Sequence, residues 1–395
     1  MAQVARASYG RLIGILSARN GDIAAAEDAL SDALQAALAT WPDRGVPDNP
    51  EGWLVRVARN RMTDAHRRAL KQHPLPIEEH DFTVPDSYKM ETADPRLPLL
   101  FVCAHPGIAE PARGPLMLQA VLGFTAAEIA RAYVSSPTAM SKQLVRAKER
   151  IKANTIPFRV PEPEIRAERL SDVMEAIYGC YALCWLDGPE ADSMQREAVY
   201  LADLLASEMN DDPEVLGLSA LLAFLHSRRA ARLRDGCYVP LAEQPTELWD
   251  HDLSAAADMR LRQAFQLGRP DRFQIEAAIQ SVHAARARTD MTDWSALLSL
   301  YEGLIHFAPT LGAYVSQAAV VGEVHGAEAG LVALEKLADP RLERFQPYWA
   351  TQAHLLAQSG ALAEARDAYD RAISLAVAPG ARGFLVSARA KLDQP

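Results

Sequence analysis

The stretch TAAEIARAYVSSPTAMSKQLVRAKERIK, from Thr125 to Lys152, predicts two short helices joined by a tight turn. Thr125 and Glu128 have the spacing of a capping box, in which each side chain accepts a hydrogen bond from the backbone amide of the other residue. This box starts a helix that we expect over Ala126–Tyr133. The Ser-Ser-Pro sequence that follows ends this helix and starts the next one, because proline is well tolerated in a first helical turn.

The second helix of this stretch has one apolar face, formed by residues at spacings of four, three and four. These residues are Met140, Leu144, Ala147 and Ile151. The residues between them are mostly polar or basic and point elsewhere. Two short helices with an apolar underside and a basic second helix are typical of a helix-turn-helix whose second helix enters the major groove. Any antiparallel helix pair with solvated lysines has the same pattern, and that alternative stays open at this point.

The rest of the chain predicts an all-α protein. Apolar residues recur at spacings of three and four, alternating β-branched runs are scarce, and alanine is abundant. With 395 residues and 49% hydrophobic residues, the chain is long enough to form several packed cores. No stretch has the roughly 20 consecutive apolar residues that a membrane span needs. We therefore expect a cytoplasmic protein without contact to a membrane.

Charge is distributed unevenly along this acidic chain, whose formal net charge is −10. Residues 1–160 carry 20 Lys/Arg and 17 Asp/Glu, whereas residues 161–395 carry 21 and 34. Within the first part, basic residues concentrate around 56–71 and 142–152. Clustered positive charge favours the binding of a polyanion, even when the whole chain is acidic.

The sequence contains no recognisable catalytic or metal-binding motif. We therefore expect no enzyme, no catalytic residue, no cofactor and no metal. Cys180 and Cys184 lie four apart, but no paired His/Cys motif accompanies them, and a zinc site normally has four ligands. We interpret these two residues and Cys103 as small buried hydrophobic side chains. The histidines have no HExxH context, and the phosphate-binding pattern GxxxxGK[ST] does not occur.

Proline-rich segments divide the chain into four predicted regions. Residues 1–71 form a helical unit in which a WPDRGVPDNP connection separates two helices, and residues 72–95 form an acidic, proline-rich linker. Residues 96–156 form a second unit that contains the opening stretch. Residues 157–395 form a long acidic extension, in which we expect early helices over 170–186, 193–208, 213–227 and 249–266.

The later part of the extension contains an internal repeat with an offset of 34 residues. The sequence Gly326-Ala-Glu-Ala corresponds to Gly360-Ala-Leu-Ala, and Tyr314 corresponds to Tyr348. This offset is the period of tetratricopeptide repeats, in which small residues allow helices to pack closely. We expect three helical pairs between about residues 273 and 376.

The first unit offers a second nucleic-acid surface that differs from the opening stretch. Trp53 begins a helix that carries arginines and Asn60, which can donate hydrogen bonds to phosphates and base edges. An aromatic ring beside a basic helix suits single-stranded bases, since stacking contributes about 1–3 kcal/mol per base. A core position for Trp53 is the alternative.

The order of these parts resembles an extracytoplasmic-function sigma factor of bacterial RNA polymerase, of the sigma-70 family, from the subgroup with a C-terminal tetratricopeptide-like extension. AAEDALSDALQAALATW and NPEGWLVRVARNRMTDAHRRA resemble sigma region two, and the AEIARAY and LVRAK strings resemble region four. Three segments resemble the extension of that subgroup, namely LWDHDLSAAADMRLRQAF, FQIEAAIQSVHA and DWSALLSLYEGLIHFAP. The resemblance covers nearly the whole chain.

The resemblance implies that core RNA polymerase, through its clamp helices and flap, and promoter DNA are the partners. The candidates for docking on polymerase are Glu27, Asp28, Asp32 and Gln35. The candidates for the −10 element are Trp53, Arg56, Arg59, Asn60, Arg61 and Arg67. The candidates for the −35 element are Thr138, Ser141, Lys142, Gln143 and Arg146.

Three segments depart from the pattern of this subgroup, one of them the CAHP string at 103–106, which replaces a common CCHP. The recognition helix carries Ala139, Ser141 and Lys142, and RDGCYVPLAEQPTELWD (234–250) is less charged than the segment it resembles. The linker carboxylates, Glu78 to Asp94, are expected to thread the RNA exit path as a nucleic-acid mimic or to form a solvated linker.

The function expected is promoter recognition by a sigma factor that the C-terminal array controls, through an intramolecular contact or a protein partner. The alternatives are a helix-turn-helix regulator with a C-terminal sensor and a scaffold whose array binds peptides.

Overall fold

The computed structural model describes residues 2–18, 21–72, 94–185 and 189–393. Over these residues the chain forms 18 α-helices and one two-stranded sheet, which confirms the all-α fold class. The chain divides into two compact units, Met1–Leu183 and Cys184–Pro395. Among the described residues, no helix combines the length and the apolar character needed to cross a bilayer.

The first unit contains eight helices within its described residues. They are α1 (Ala2–Ser17), α2 (Ile23–Arg44), α3 (Pro50–Gln72), α4 (Arg96–Cys103), α5 (Glu110–Ala120), α6 (Ala126–Ala132), α7 (Pro137–Ala153) and α8 (Pro163–Leu183).

Helices α1, α2 and α3 pack against one another. Asp22 caps α2 by accepting a hydrogen bond from the Ala25 amide at 3.0 Å, and Asn49 accepts one from the Gly52 amide at 2.8 Å at the start of α3. Glu51 joins α3 to α1, because its carboxylate accepts hydrogen bonds from Ser8 and Arg11. These contacts fix the direction of α3.

Helix α2 is longer than the sequence predicts. We expected the connection to begin at the WPDR sequence, but α2 continues through Pro42 to Arg44. Pro42 cannot donate the backbone hydrogen bond to the carbonyl of residue 38, and the helix ends two residues later. Gly45, at φ 81°, ends the helix and donates its amide to the Trp41 carbonyl at 3.0 Å.

The predicted capping box at α6 is confirmed. The Thr125 hydroxyl accepts from the Glu128 amide at 3.2 Å, and Glu128 Oε2 accepts from the Thr125 amide at 2.7 Å. Tyr133 is the residue after the helix rather than its last member. The apolar face predicted for α7 is also confirmed, since all four of its residues are buried.

Helix α8 packs against α4 and α5. Arg113 on α5 forms an ion pair with Asp172 on α8 at 2.9 Å, and Arg169 lies within 3.4 Å of the Phe101 carbonyl oxygen. The boundary between the compact units therefore follows Leu183, whereas we assigned residues from 157 onward to the extension.

The second unit contains ten α-helices and a short hairpin within its described residues. The helices are α9 (Pro189–Glu208), α10 (Pro213–Ser227), α11 (His251–Gln266), α12 (Arg272–Thr289), α13 (Trp294–Phe307), α14 (Leu311–His325), α15 (Ala327–Glu335), α16 (Gln346–Gln358), α17 (Leu362–Leu375) and α18 (Pro379–Lys391). The antiparallel strands are β1 (Leu233–Arg234) and β2 (Cys237–Tyr238). Short 3₁₀ helices cover Arg229–Ala231, Leu241–Glu243, Thr246–Leu248 and Pro340–Arg344.

The repeat found in the sequence corresponds to equivalent backbone geometry. Gly326 and Gly360 precede α15 and α17, and both have a positive φ, 93° and 85°, which glycine adopts without steric cost. Helices α12 to α17 supply the six helices expected between about residues 273 and 376. Their assignment as tetratricopeptide repeats stays a prediction.

The last helix of the second unit returns to the hairpin. Helix α18 packs on β2, where the Tyr238 and Phe384 rings meet edge to face with centroids 5.8 Å apart. A Cβ atom at Gly380 would lie 2.9 Å from the Gly236 carbonyl oxygen. This close approach explains why a glycine stands at that position.

Candidate nucleic-acid interface

Helix α3 presents an exposed polar face that carries most of the residues predicted for the −10 element. Arg56, Asn60 and Arg67 are exposed, and Trp53 is partly buried. An α-helix turns by about 100° per residue, so spacings of three, four and seven residues place these four side chains along one face. Arg59 is exposed beside them, one sector further around the helix.

Arg61 lies apart from the other predicted −10 residues. It is exposed, but helix geometry turns it about 100° away from Asn60. That direction leads toward the side of α3 on which Leu54 is buried at 1% exposure. Helix geometry thus groups four of the six predicted residues on one face, with Arg59 and Arg61 each about 100° from Asn60 on opposite sides of it.

The indole of Trp53 is held by a second tryptophan. The Trp41 and Trp53 rings meet at 65° with centroids 5.4 Å apart, which is a favourable edge-to-face arrangement. Trp41 is buried in the core at 7% exposure, so it supports one edge of the more accessible ring. The sequence left open whether Trp53 is an exposed stacking surface or a core residue. The structure lies between the two, because the ring packs on the core through Trp41 and stays partly accessible.

Helices α6 and α7 present a second exposed face. Thr138, Ser141, Lys142 and Arg146 are all exposed. Ser136 caps α7 by accepting from the Ala139 amide at 3.2 Å, which satisfies one of the free backbone donors of the first turn. The N-terminal half of α7 therefore displays hydroxyl and cationic groups.

Two predicted features of α7 differ from this exposed arrangement. The Gln143 amide donates a hydrogen bond to the Pro111 carbonyl oxygen at 2.8 Å, so in this structure it points to α5. Lys148, which we counted in the exposed basic cluster, is buried instead. Its ammonium group binds Glu27 at 2.5 Å. The exposed basic residues of α7 are consequently Lys142, Arg146, Arg150 and Lys152, of which Lys152 pairs with Asp22.

The acidic face predicted for α2 is partly free and partly occupied. Asp28, Asp32 and Gln35 are exposed along one stripe of the helix. The carboxylate of Glu27, the fourth residue predicted, is engaged by Lys148. Leu38, with 62% of its surface exposed, follows the same stripe one turn later. Sequence reasoning missed this leucine, although its spacing of three from Gln35 was available as a signal.

Other residues weighed in the sequence take no part in these surfaces. Cys103, Cys180 and Cys184 are buried, and burial raises the pKa of the Cys103 thiol. Within the described ranges no three His, Cys, Asp or Glu side chains are grouped so as to hold a metal ion. The linker carboxylates Glu78, Glu79, Asp81, Asp86 and Glu91 lie outside the described residues.

Two family models match parts of the chain. Residues 4–72 match the family described as sigma-70 region 2. Residues 169–265 match a family of unknown function, DUF6596. An uncharacterized protein of Rhizobium meliloti (strain 1021) is 37% identical over 372 residues, which cover 91% of this chain and 87% of that protein. No solved structure matches the chain.

Proposed function

We propose that this chain is an extracytoplasmic-function sigma factor of the sigma-70 family. Its residues 4–72 match sigma-70 region 2, and the chain belongs to one family with the rhizobial protein over most of its length. A sigma-70 region 2 domain implies binding to core RNA polymerase and to promoter DNA and a role in transcription initiation. The finer proposal adds −35 recognition by residues 96–156 and control by the C-terminal unit.

The observation that carries the proposal is the face of α3. A sigma factor captures unpaired bases while the duplex opens, and this requires an aromatic surface beside cations. Trp53, supported by Trp41, supplies that surface. Exposed Arg56 and Arg67 supply cations on the same side of the helix, where they can neutralise phosphates.

The −35 element is proposed to contact the N-terminal half of α7. Lys142 and Arg146 can donate to guanine O6 and N7, and Thr138 and Ser141 can bond to either base edges or phosphates. All four side chains are exposed. The Gln143 amide would have to leave the Pro111 carbonyl before it could bind adenine.

Polymerase is proposed to dock on the acidic stripe of α2. Asp28, Asp32 and Gln35 suit a basic helical partner, and the exposed Leu38 adds an apolar contact. Such a mixture of a hydrophobic anchor and surrounding polar groups is typical of protein interfaces. The chain itself performs no chemistry in this proposal, since RNA synthesis belongs to the polymerase.

The second unit is proposed to control the activity of the first, through an intramolecular contact or through a protein partner. Its helical array resembles repeat proteins that bind partners along an extended surface. Removal of residues 184–395 is therefore expected to change the rate of promoter-dependent transcription. An unchanged rate would contradict control by this unit.

Binding to core polymerase tests the docking surface directly. The double variant Asp28→Lys/Asp32→Lys should weaken binding to core polymerase, because both charges then repel a basic partner. Glu364→Lys/Asp367→Lys, which reverses two exposed carboxylates of α17, is the matched control. Tight binding of the wild-type chain to duplex DNA without polymerase, together with no binding to polymerase, would instead favour the helix-turn-helix regulator.

A further inference from the structure

Helix α7 presents an apolar side chain, Val145, within the polar face that we assign to the −35 element. Val145 is exposed over 54% of its surface, whereas Leu144, the preceding residue, is buried at 1% exposure. The packed underside of α7 therefore does not include Val145. Sequence reasoning missed this valine, because the residues predicted for the −35 element were selected for their hydrogen-bonding groups.

Helix geometry places Val145 inside the group of predicted −35 residues. At about 100° per residue, its side chain points within about 20° of Thr138, about 40° of Ser141 and about 60° of Lys142. Those three residues are exposed as well. Val145 thus lies in the sector of α7 that faces the DNA in the proposed function, in the turn that follows Ser141 and Lys142.

The orientation of Val145 is fixed by the packing of the helix that carries it. Leu144 and Ala147 are buried at 1% and 5% exposure, and they hold α7 against its neighbours. Valine in a helix strongly favours a single χ1 rotamer, so its two methyl groups point in one direction. A single exposed apolar residue is ordinary on a protein surface. Val145 is distinguished by its position, since it is a stiff apolar group beside side chains that can donate hydrogen bonds to DNA.

The chemistry of the major groove limits what a valine can contact there. Of the four bases, only thymine presents an apolar group, its C5 methyl, in this groove. Opposite the donors and acceptors of the other bases, a valine would displace water without replacing its hydrogen bonds, which is unfavourable. Opposite the thymine methyl group, the same side chain buries apolar surface, which is favourable. A thymine is therefore the base that fits Val145.

We propose that Val145 contacts the C5 methyl group of a thymine in the −35 element and makes that base pair part of the sequence that the protein recognises. This inference rests on the proposed function. Helix rise places Val145 about 10.5 Å from Thr138 and about 4.5 Å from Lys142 along the axis of α7. At about 3.4 Å per base pair, the thymine is expected within about three base pairs of the one nearest Thr138 and within about two of the one nearest Lys142.

Replacement of thymine by uracil tests this contact without altering the protein. Deoxyuridine pairs with adenine as thymidine does and lacks only the C5 methyl group. Each thymine of the −35 element would be replaced in turn on a promoter from which the polymerase complex initiates, and the affinity of core polymerase with the full-length chain would be measured. Burial of one methyl group favours binding by roughly fourfold, so one deoxyuridine should weaken binding by about that factor.

Val145→Ala shows whether the effect arises from this residue. The variant should weaken binding to the thymine promoter by about the same factor and should make binding insensitive to deoxyuridine at the contacted position. Alanine has a higher helix propensity than valine and Val145 is exposed, so α7 should stay folded, which thermal unfolding would check. Val332→Ala on α15 is the matched control, because Val332 is exposed over 48% of its surface. It should keep the wild-type response to deoxyuridine.

The inference can fail while the proposed function stands. It would be overturned by promoter-specific initiation that is unaffected by loss of any thymine methyl group in the −35 element, by a −35 element without a thymine, or by a Val145→Ala variant that responds to deoxyuridine as the wild-type chain does. Failure of the wild-type chain to direct initiation at any promoter would contradict the proposed function, and the thymine contact with it.

Discussion

Replacement of Trp53 by alanine perturbs the surface that we assign to promoter melting. The indole is partly buried and forms an edge-to-face pair with Trp41, with ring centroids 5.4 Å apart. Trp53→Ala therefore removes a platform for bases and one aromatic pair. It leaves Arg56 and Arg67 in place, so attraction of the DNA backbone to α3 persists.

The expected magnitude follows from two separate contributions. Loss of a stacked base costs about 1–3 kcal/mol, which corresponds to a decrease of roughly 5- to 140-fold in the equilibrium for promoter opening. Loss of the Trp41 pair costs about 0.5–1.5 kcal/mol of folding stability beyond area burial. The second effect lowers the unfolding temperature but should not alter opening at temperatures where the domain is folded.

Potassium permanganate reactivity of unpaired thymines in the −10 region measures opening on a promoter that the wild-type complex melts. Trp349→Ala is a matched control, because Trp349 is also partly buried and meets Tyr348 edge to face with centroids 5.4 Å apart. Thermal unfolding of both variants shows whether each is folded at the assay temperature. Wild-type opening by folded Trp53→Ala would refute the assignment.

Three further predictions concern the local physics of the fold. Thr125→Ala removes the hydroxyl that accepts from the Glu128 amide in the capping box and should lower the unfolding free energy by about 0.5–2 kcal/mol in urea titrations; no change would show that this hydroxyl contributes nothing. Gly330→Ala should destabilise the second unit by about 1–3 kcal/mol, since its Cβ would lie 2.9 Å from the Ala318 carbonyl oxygen, whereas Gly303→Ala, with open space around it, should be neutral or stabilising. Burial and nearby arginines lower the pKa of His283 to about 4, so its unfolded form binds a proton first and stability falls as pH drops from about 6.5 toward 4. His283→Gln should flatten this fall in acid titrations and exposed His306→Gln should not; equal slopes would contradict a neutral buried imidazole.

Local structure was predictable from the sequence wherever neighbouring residues determine it. The Thr125 and Glu128 pair predicts the start of α6, because a capping box needs only residues three apart. The buried face of α7 follows from spacings of four and three, since a helix has 3.6 residues per turn. Gly326 and Gly360 similarly signal the repeated turns before α15 and α17.

Contacts between distant segments were not predictable in this way. Lys148 and Glu27 are 121 residues apart, and nothing in the periodicity of α7 distinguishes a lysine that pairs with α2 from one that faces solvent. The hydrogen bond from the Gln143 amide to the Pro111 carbonyl oxygen was equally unpredictable, because it depends on how α7 packs against α5. Helical periodicity shows which side of a helix is buried, but the partner depends on how the helices pack.

Mapping of transcription start sites tests the central claim most directly. Core RNA polymerase would transcribe fragmented genomic DNA in vitro, alone or with the full-length chain, and the 5′ ends of the RNA would be sequenced. We expect the full-length chain to direct initiation at a discrete set of sites that share two sequence elements, and Trp53→Ala to reduce initiation at those sites. A set of start sites identical to that of core polymerase alone would contradict the account.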